Sequence, residues 1–250
     1  MILYHNFSIK MKNKKQYIEI KKKKIFYLYK KNVFTPNLTS KLLIEAIIDN
    51  IRYKKKMSIV DLGCGSGIVG LSVAKFLNLK DDLFFSDLSS VAIENVKENL
   101  KFFKKKGETR KGSLLSPWGE KKFDIIINDI SAISSSVSKI SPWFKKIPCE
   151  SGKDGTDLSL NFLKNLPKNI NKNSKVFFPI LSLSNEKKVV NFAEKKFKNL
   201  KCVSKIYWPL PKSMEKKIKI LLKLKEKNYI NFKIISGKII CNTSIYMLKF

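Results

Sequence analysis

The sequence predicts an α/β fold, a mostly parallel sheet with helices on both faces, and three observations carry that prediction. Apolar runs of strand length at 58–62, 83–87, 123–127 and 176–181 alternate with longer segments whose apolar residues recur at helical spacing. The run at 123–127 is apolar nearly throughout, as a strand buried on both faces should be. Between the first strand and the helix after it stand Gly63, Gly65 and Gly67, where a tight strand-to-helix turn belongs.

Taken in order, residues 1–32 form a basic N-terminal segment. Two short strand-like pieces, Tyr17 to Ile20 and Ile25 to Tyr29, flank Lys21 to Lys24 and can pair as a hairpin. Residues 33–250 form the main domain. Its first helix covers 39–52 on the spacing of Leu42, Leu43, Ala46, Ile47 and Ile51. The strand at 58–62 carries Asp61 at its carboxyl end, two residues before Gly63. A carboxylate there would repel a diphosphate and pair with an ammonium group, so the turn suits a cationic or zwitterionic ligand. Gly63 and Gly65 can take backbone angles closed to other residues and admit a ligand to the main chain. Gly67 can bring the helix at 67–76 close to the sheet. No lysine-hydroxyl pair follows at P-loop spacing, which excludes a nucleoside triphosphatase of that type.

The second strand, 83–87, ends in Asp87, placed to reach ribose hydroxyls. Ser89 or Ser90 caps the helix that follows at 89–103. A weak third strand covers 108–112, and the fourth, 123–127, ends in Asn128-Asp129-Ile130-Ser131. Residues 131–156 read as a substrate-facing insertion that begins as a flexible, serine-rich polar loop. In it Pro142-Trp143-Phe144 serves either as a lid or pocket wall or as a core plug. Asp157 or Thr156 caps a helix carrying Leu158, Phe162, Leu163 and Leu166. A fifth strand at 176–181, an amphipathic helix at 185–198 and a sixth strand at 201–208 follow, the last ended by Pro209 and Pro211. A basic helix covers 214–227, an extended pair at 230–235 and 239–240 surrounds Gly237, and 243–250 is a final strand.

The net charge of +31, from 51 basic and 20 acidic residues, steers the chain toward nucleic acid, ribosomes or acidic membrane surfaces. The basic residues are nearly all lysine and accompany many asparagines and isoleucines, a bias that an AT-rich genome also produces. Cys64, Cys149, Cys202 and Cys241 show no paired metal-ligand spacing, and the lone His5 near the start is read as incidental. No apolar stretch reaches membrane-spanning length and no signal peptide is read, so the expected location is cytoplasmic.

The run Val60-Asp61-Leu62-Gly63-Cys64-Gly65-Ser66-Gly67 resembles motif I of class I methyltransferases that use S-adenosylmethionine, and Phe85-Ser86-Asp87-Leu88-Ser89 with Ala92 resembles their second-strand motif. Val33-Phe34-Thr35-Pro36, with Thr39 and Leu42-Leu43, is similar to the segment before motif I in the HemK/PrmC-like branch. Ser151 to Asp157 resembles that branch's Gly-Gly-x-Asp-Gly segment. The likeness covers roughly residues 33–183. It implies a Rossmann-like, seven-stranded, mostly parallel sheet with an antiparallel last strand beside the fifth, and S-adenosylmethionine as cofactor. By the same resemblance Asp61, Gly63, Cys64, Gly65 and Gly67 hold the methionine part, and Asp87 with Leu88 the ribose. Ser113 and Leu114 lie beside the adenine, while Phe34, Pro36 and Thr39 cover the cofactor.

The fourth strand departs from the branch. Relatives read Asn-Pro-Pro-Tyr there; this chain keeps Asn128, replaces the prolines by Asp129 and Ile130, and puts Ser131 in place of the tyrosine. The lost ring removes a stacking surface for a planar amide or base amine, and the new carboxylate adds an anchor or proton acceptor. Residues 1–32 are also too short for the helical substrate domain of release-factor methyltransferases. The expected activity is therefore methyl transfer to a small-molecule acceptor. Asn128 and Asp129 are its catalytic pair, and Ile130, Ser131, Trp143 and Phe144 its acceptor wall. Two alternatives stand beside it: methylation of RNA or a ribosomal or translation protein, and non-methylating attack on the cofactor sulfonium. Asp129 merely capping a turn is the structural alternative for that residue.

Overall fold

A computed structural model gives the protein's structure at residues 14–52, 56–79, 82–130, 132–143 and 151–250. Strands β1 (Lys14–Ile20) and β2 (Lys23–Tyr29) form the N-terminal hairpin. Lys21 and Lys22 alone make its turn, both at positive φ, so Lys23 and Lys24 belong to the strand and not to the connection. Helix α1 (Leu38–Asn50) follows, capped by the Asn37 side chain, which accepts from the Thr39 and Ser40 N–H groups. The core then alternates β3 (Ile59–Leu62), α2 (Ile68–Phe76), β4 (Leu83–Asp87), α3 (Ser90–Phe102), β5 (Glu108–Lys111) and β6 (Phe123–Asn128). After the short α4 (Ser135–Ile140) come α5 (Asp157–Asn165), β7 (Ile170–Leu181), α6 (Glu186–Lys196) and β8 (Leu200–Pro209). The chain ends in α7 (Lys212–Glu215), α8 (Ile218–Glu226), β9 (Lys233–Ile235) and β10 (Lys238–Lys249).

The sheet runs β5-β4-β3-β6-β7-β10-β8, with β9 paired to β10. From β5 to β7 neighbouring strands are parallel; β10 is antiparallel to β7 and to β8. Successive side chains on a strand point to opposite faces, and here both faces are dry. Ile59, Phe85, Ile125, Ile127 and Phe177 pack with α1, α2, α3 and the hairpin. Val60, Phe84, Ile126, Val176 and Phe178 pack with Trp118, α5 and α6. Full burial of each such side chain stabilises the fold by roughly 1.5–3 kcal/mol, which is why the central strands carry no polar alternation.

Two buried asparagines on α3 tie the hairpin to the domain. Asn99 Oδ1 accepts from the Leu28 N–H at 2.7 Å, and its Nδ2 donates to Leu28 O at 2.9 Å and to Ser66 O at 2.8 Å. Asn95 Nδ2 also donates to Leu28 O, and its Oδ1 accepts from the Lys30 N–H. The asparagines thus satisfy an otherwise open strand edge.

Several expectations are corrected. β7 begins at Ile170, not 176, because the chain around 171–174 is held against β6: Ser174 Oγ donates to Phe123 O at 2.6 Å and accepts from the Asn171 N–H at 2.8 Å. The basic helix at 214–227 is two helices, broken near Lys217, and Glu215 of the first is held by the Ile239 N–H. The pieces at 239–240 and 243–250 are one strand, β10. The serine-rich stretch is no flexible loop: Ser134 and Ser135 Oγ donate to Lys153 O and Gly152 O, and α4 starts there. Among the described residues no helix is long and apolar enough to cross a membrane.

Candidate functional site

Parallel strands deliver their carboxyl ends to one edge of the sheet, and a cavity of about 420 Å³ runs along that edge. Its wall takes Gly112, Ser113 and Leu114 after β5, Asp87 and Leu88 from β4, and Gly63, Cys64, Gly65 and Ser66 after β3. Asp129 and Ile130 follow after β6, then Pro179 and Leu181 at the end of β7. Phe34, Pro36, Thr39 and Ser40, leading into and opening α1, close it from above. In strand order these are five adjacent ends, so at about 4.8 Å per strand the cavity extends over roughly 19 Å.

The glycines shape it by different means. Gly65 sits at φ +53, where an added Cβ would meet Val33 at 3.7 Å and Phe34 O at 4.0 Å, both ordinary contacts, and it lines the cavity. A Cβ on Gly63 would fall 2.7 Å from Ile130 Cγ2, so this glycine lets the end of β6 close on the turn. Gly67 admits Val96 of α3 rather than bringing α2 onto the sheet; the close helix-to-sheet contact is made at Gly70, against Phe85 and Asp61. The Gly70 role escaped the sequence reading because the motif ends at Gly67.

The acidic residues occupy two depths. Asp61 is fully buried beneath the wall; its Oδ2 accepts from the Gly70 N–H at 2.9 Å, and among the described residues its Oδ1 has no hydrogen-bond donor. Burial pushes its carboxyl up to about 8, against the opposing Gly70 hydrogen bond, with Asp129 and Asp87 adding repulsion. Asn128 is likewise buried below the cavity rather than lining it, with Oδ1 lacking a donor. Asp87 does line it. Its Oδ2 accepts from the Gly65 N–H at 2.9 Å and its Oδ1 from the Ser89 N–H at 2.8 Å, joining the end of β4 to the glycine turn. Burial raises its carboxyl as well, with those N–H groups opposing. Burial holds the Cys64 thiol well above the usual range, so it is no nucleophile.

The described hydrogen bond of Asp129 runs to α1. Its Oδ2 accepts from Ser40 Oγ at 2.8 Å, a contact between β6 and α1 across 89 positions. Burial lifts this carboxyl to about 7, and the Ser40 hydrogen bond resists the shift. Ser40 itself was missed in the sequence, because its helix reads there as an apolar cover for the sheet.

Trp143 is corrected. It packs edge-on against Trp208 at 5.9 Å in the cluster built on Met214, Leu221 and Phe232, and is not part of the cavity wall. The plug reading of this ring holds because β8 and α8 offer it an apolar seat. Ser131 and Phe144 lie outside the described residues. Leu158, Ala132 and Ile133 complete the wall near β6 and β7, a contribution visible only once the chain is folded.

An S-adenosylmethionine-type ligand fits these residues. The donor-less Asp61 Oδ1 and the bare face of Gly65 suit a cationic, backbone-hugging group, and Asp87 retains lone pairs for hydroxyl donors. Residues 29–129 match the family model of the methyltransferase small domain. The chain is 31% identical over 149 residues to a release factor glutamine methyltransferase of Borreliella burgdorferi, covering 57% of this chain and 51% of that protein. It is 26% identical over 163 residues to the Clostridium botulinum protein of the same name, covering 60% and 56%. The chain thus spans about half the length of the curated relatives it matches. Among solved structures, a 16S rRNA methyltransferase of T. Thermophilus in complex with AdoMet and guanosine superposes with a TM-score of 0.62 at 12% identity, over 95% of this chain and 50% of that one. A ribosomal protein L11 methylase of Lactobacillus delbrueckii subsp. bulgaricus gives 0.54 at 17%, over 87% and 82%. Residues 29–129 are therefore similar to the methyltransferase small domain, the chain resembles HemK/PrmC-like proteins over about half their length, and its fold is that of the class I methyltransferases.

Proposed function

We propose that this chain is an enzyme that transfers a methyl group from S-adenosylmethionine to a component of the translation machinery, with a protein side chain as acceptor. The observation that carries this is the cavity itself: the glycine turn and Asp87 line it with buried Asp61 directly behind them, and the wall goes on past them to Asp129 and β7. Gly63 to Gly67, Asp61 and Asp87 would hold the cofactor, which supplies an electrophilic methyl on a positive sulfur. Holding both reactants over adjacent strand ends contributes by proximity and alignment. Two sequence relatives named for release factors support a protein acceptor over the small molecule that chain size and motif change had favoured. The altered segment Asn128-Asp129-Ile130 argues that the acceptor group differs from glutamine.

RNA is the second reading, supported by the charge of +31 and by the shared fold of an rRNA methyltransferase. The test incubates purified protein with methyl-labelled S-adenosylmethionine and separated ribosomal protein, release factor, RNA and metabolite fractions. Label in protein is expected; label in RNA alone selects the second reading. Methylthioadenosine without transferred label would mark attack on the cofactor instead. No calorimetric uptake of cofactor by folded protein would overturn the proposal.

A further inference from the structure

The cavity and the surface of this protein have opposite charge. The chain has 51 lysines and arginines, yet among the described residues none lines the cavity, whose charged wall residues are Asp87 and Asp129, with Asp61 behind. Asp87 and Asp61 stand at β4 and β3, around the glycine turn. Asp129 follows β6, the neighbour of β3, on the part of the wall that also takes Ile130, Ala132 and Ile133 and continues to Pro179 and Leu181 of β7. Nothing there holds a phosphate. A carboxylate withdrawn from water is costly unless a cation or donor meets it, and among the described residues Asp129 accepts from the hydroxyl of Ser40, which is 2% exposed.

We propose that the acceptor atom is an amine nitrogen that arrives as an ammonium group, that Asp129 takes its proton, and that Ser40 is the positioning residue that aims Asp129. This rests on the methyl-transfer reading above. Ser40 is fixed by the Asn37 cap at the start of α1, and its Oγ–H occupies Asp129 Oδ2, leaving Oδ1 to receive the proton. The step balances. The ammonium gives one proton to the carboxylate; the freed lone pair forms the N–C bond as the S–C pair returns to sulfur, which leaves as a neutral thioether. The product departs as a methylated ammonium, and Asp129 returns its proton to solvent. A neutral amide would bring no charge to offset the carboxylate, and a phosphate-bearing group would be repelled by it.

The groups facing Asp129 are Ser40 from α1 and buried Asp61 from β3, with neutral Asn128 beside it and apolar Pro179 and Leu181 from β7. Wild-type turnover should therefore rise through about pH 7, where the Asp129 carboxyl ionises. Asp129→Asn should lose about 10²–10³-fold at pH 7 and recover as pH climbs toward the free amine value of about 10.4. Its calorimetric affinity for S-adenosylmethionine should stay intact. Ser40→Ala removes the hydrogen bond that lowers the Asp129 carboxyl, so the acidic limb should move to higher pH. Ser40→Thr should bring it back, and a carboxyl NMR titration of Asp129 should show the same shift without turnover. Acid hydrolysis of labelled ribosomal protein should leave label on a methylated amino acid.

Label released as methylamine would mean an amide acceptor and overturn the inference while sparing methyl transfer. Label in RNA with an unchanged Asp129→Asn pH profile would do the same. Cofactor uptake with no label in any fraction would overturn both readings.

Discussion

Replacing Asp61 by asparagine should make the protein less stable in acid and more stable in alkali, because the buried carboxyl titrates near 8 in the folded chain and near the ordinary carboxylate value when unfolded. Below about pH 4 both states hold the proton, and the folded state bears no penalty. Between there and about pH 8 the unfolded chain releases the proton and the folded chain retains it. Wild-type stability therefore falls as pH rises, by up to roughly 5 kcal/mol across about four pH units at about 1.4 kcal/mol each. Asparagine cannot titrate. Its oxygen can accept from the Gly70 N–H, but its amide nitrogen then occupies the site of Oδ1, which has no partner, at a cost of about 1–3 kcal/mol. The variant should thus unfold more easily than wild type at pH 4.5 and resist unfolding by roughly 2–4 kcal/mol more at pH 8.5. Urea titrations at fixed ionic strength, with unchanged m-values, read the crossing. Parallel stability curves for the two proteins over that range would refute the argument. Asp87 and Asp129 are present in both proteins, and the repulsion they exert on a charged Asp61, lost in the variant, is part of the difference. The alkaline gain should come with lost affinity for S-adenosylmethionine, since the carboxylate is then missing.

Other residues carry separate predictions. Asn99→Ala removes three hydrogen bonds to Leu28 and Ser66 and should destabilise by about 2–4 kcal/mol, with faster hydrogen exchange at the Leu28 amide. Gly67→Ala puts a methyl 2.2 Å from Val96 Cγ2 at φ +74 and should cost about 2–4 kcal/mol in urea unfolding. Trp143→Ala should lower the melting temperature through the Trp208 contact and leave cofactor affinity unchanged by calorimetry, since that ring lies outside the cavity wall.

The fold was legible where one physical rule dominates. Residues 123–127 could only suit a strand covered on both faces, and Ile125 to Ile127 divide between the two cores accordingly. The rules failed where polar groups replace apolar spacing. Residues 170–175 read as basic connection, yet Ser174 bonded to Phe123 O holds them to β6. The serines at 134 and 135 looked solvated because a hydroxyl's partner, here the carbonyls of Lys153 and Gly152, cannot be read from spacing. Asn95 and Asn99 were invisible for the same reason: in a helix they read as surface, and only the hairpin edge against α3 gives them a use.

The site divides along the same line. Asp61 and Asp87 stand at strand ends beside glycines, a local pattern, so their place in the cavity region could be read directly, though not that Asp61 lies behind the wall with an oxygen left over. Asp129 could be singled out as a departure, but its meaning depends on Ser40, whose contact exists only because α1 begins over the end of β6. Net charge acts at a different range. A surplus of 31 positive charges describes what approaches the surface from a distance of about one Debye length, roughly 8–10 Å. Inside the cavity, groups meet at hydrogen-bond range instead, and the charged residues on its described wall are the carboxylates Asp87 and Asp129. On the proposed reading, a lysine-rich exterior and an acidic cavity would act on different partners: the first would gather an acidic or nucleic-acid-bearing assembly, and the second would select, from what that assembly presents, a group able to give up a proton.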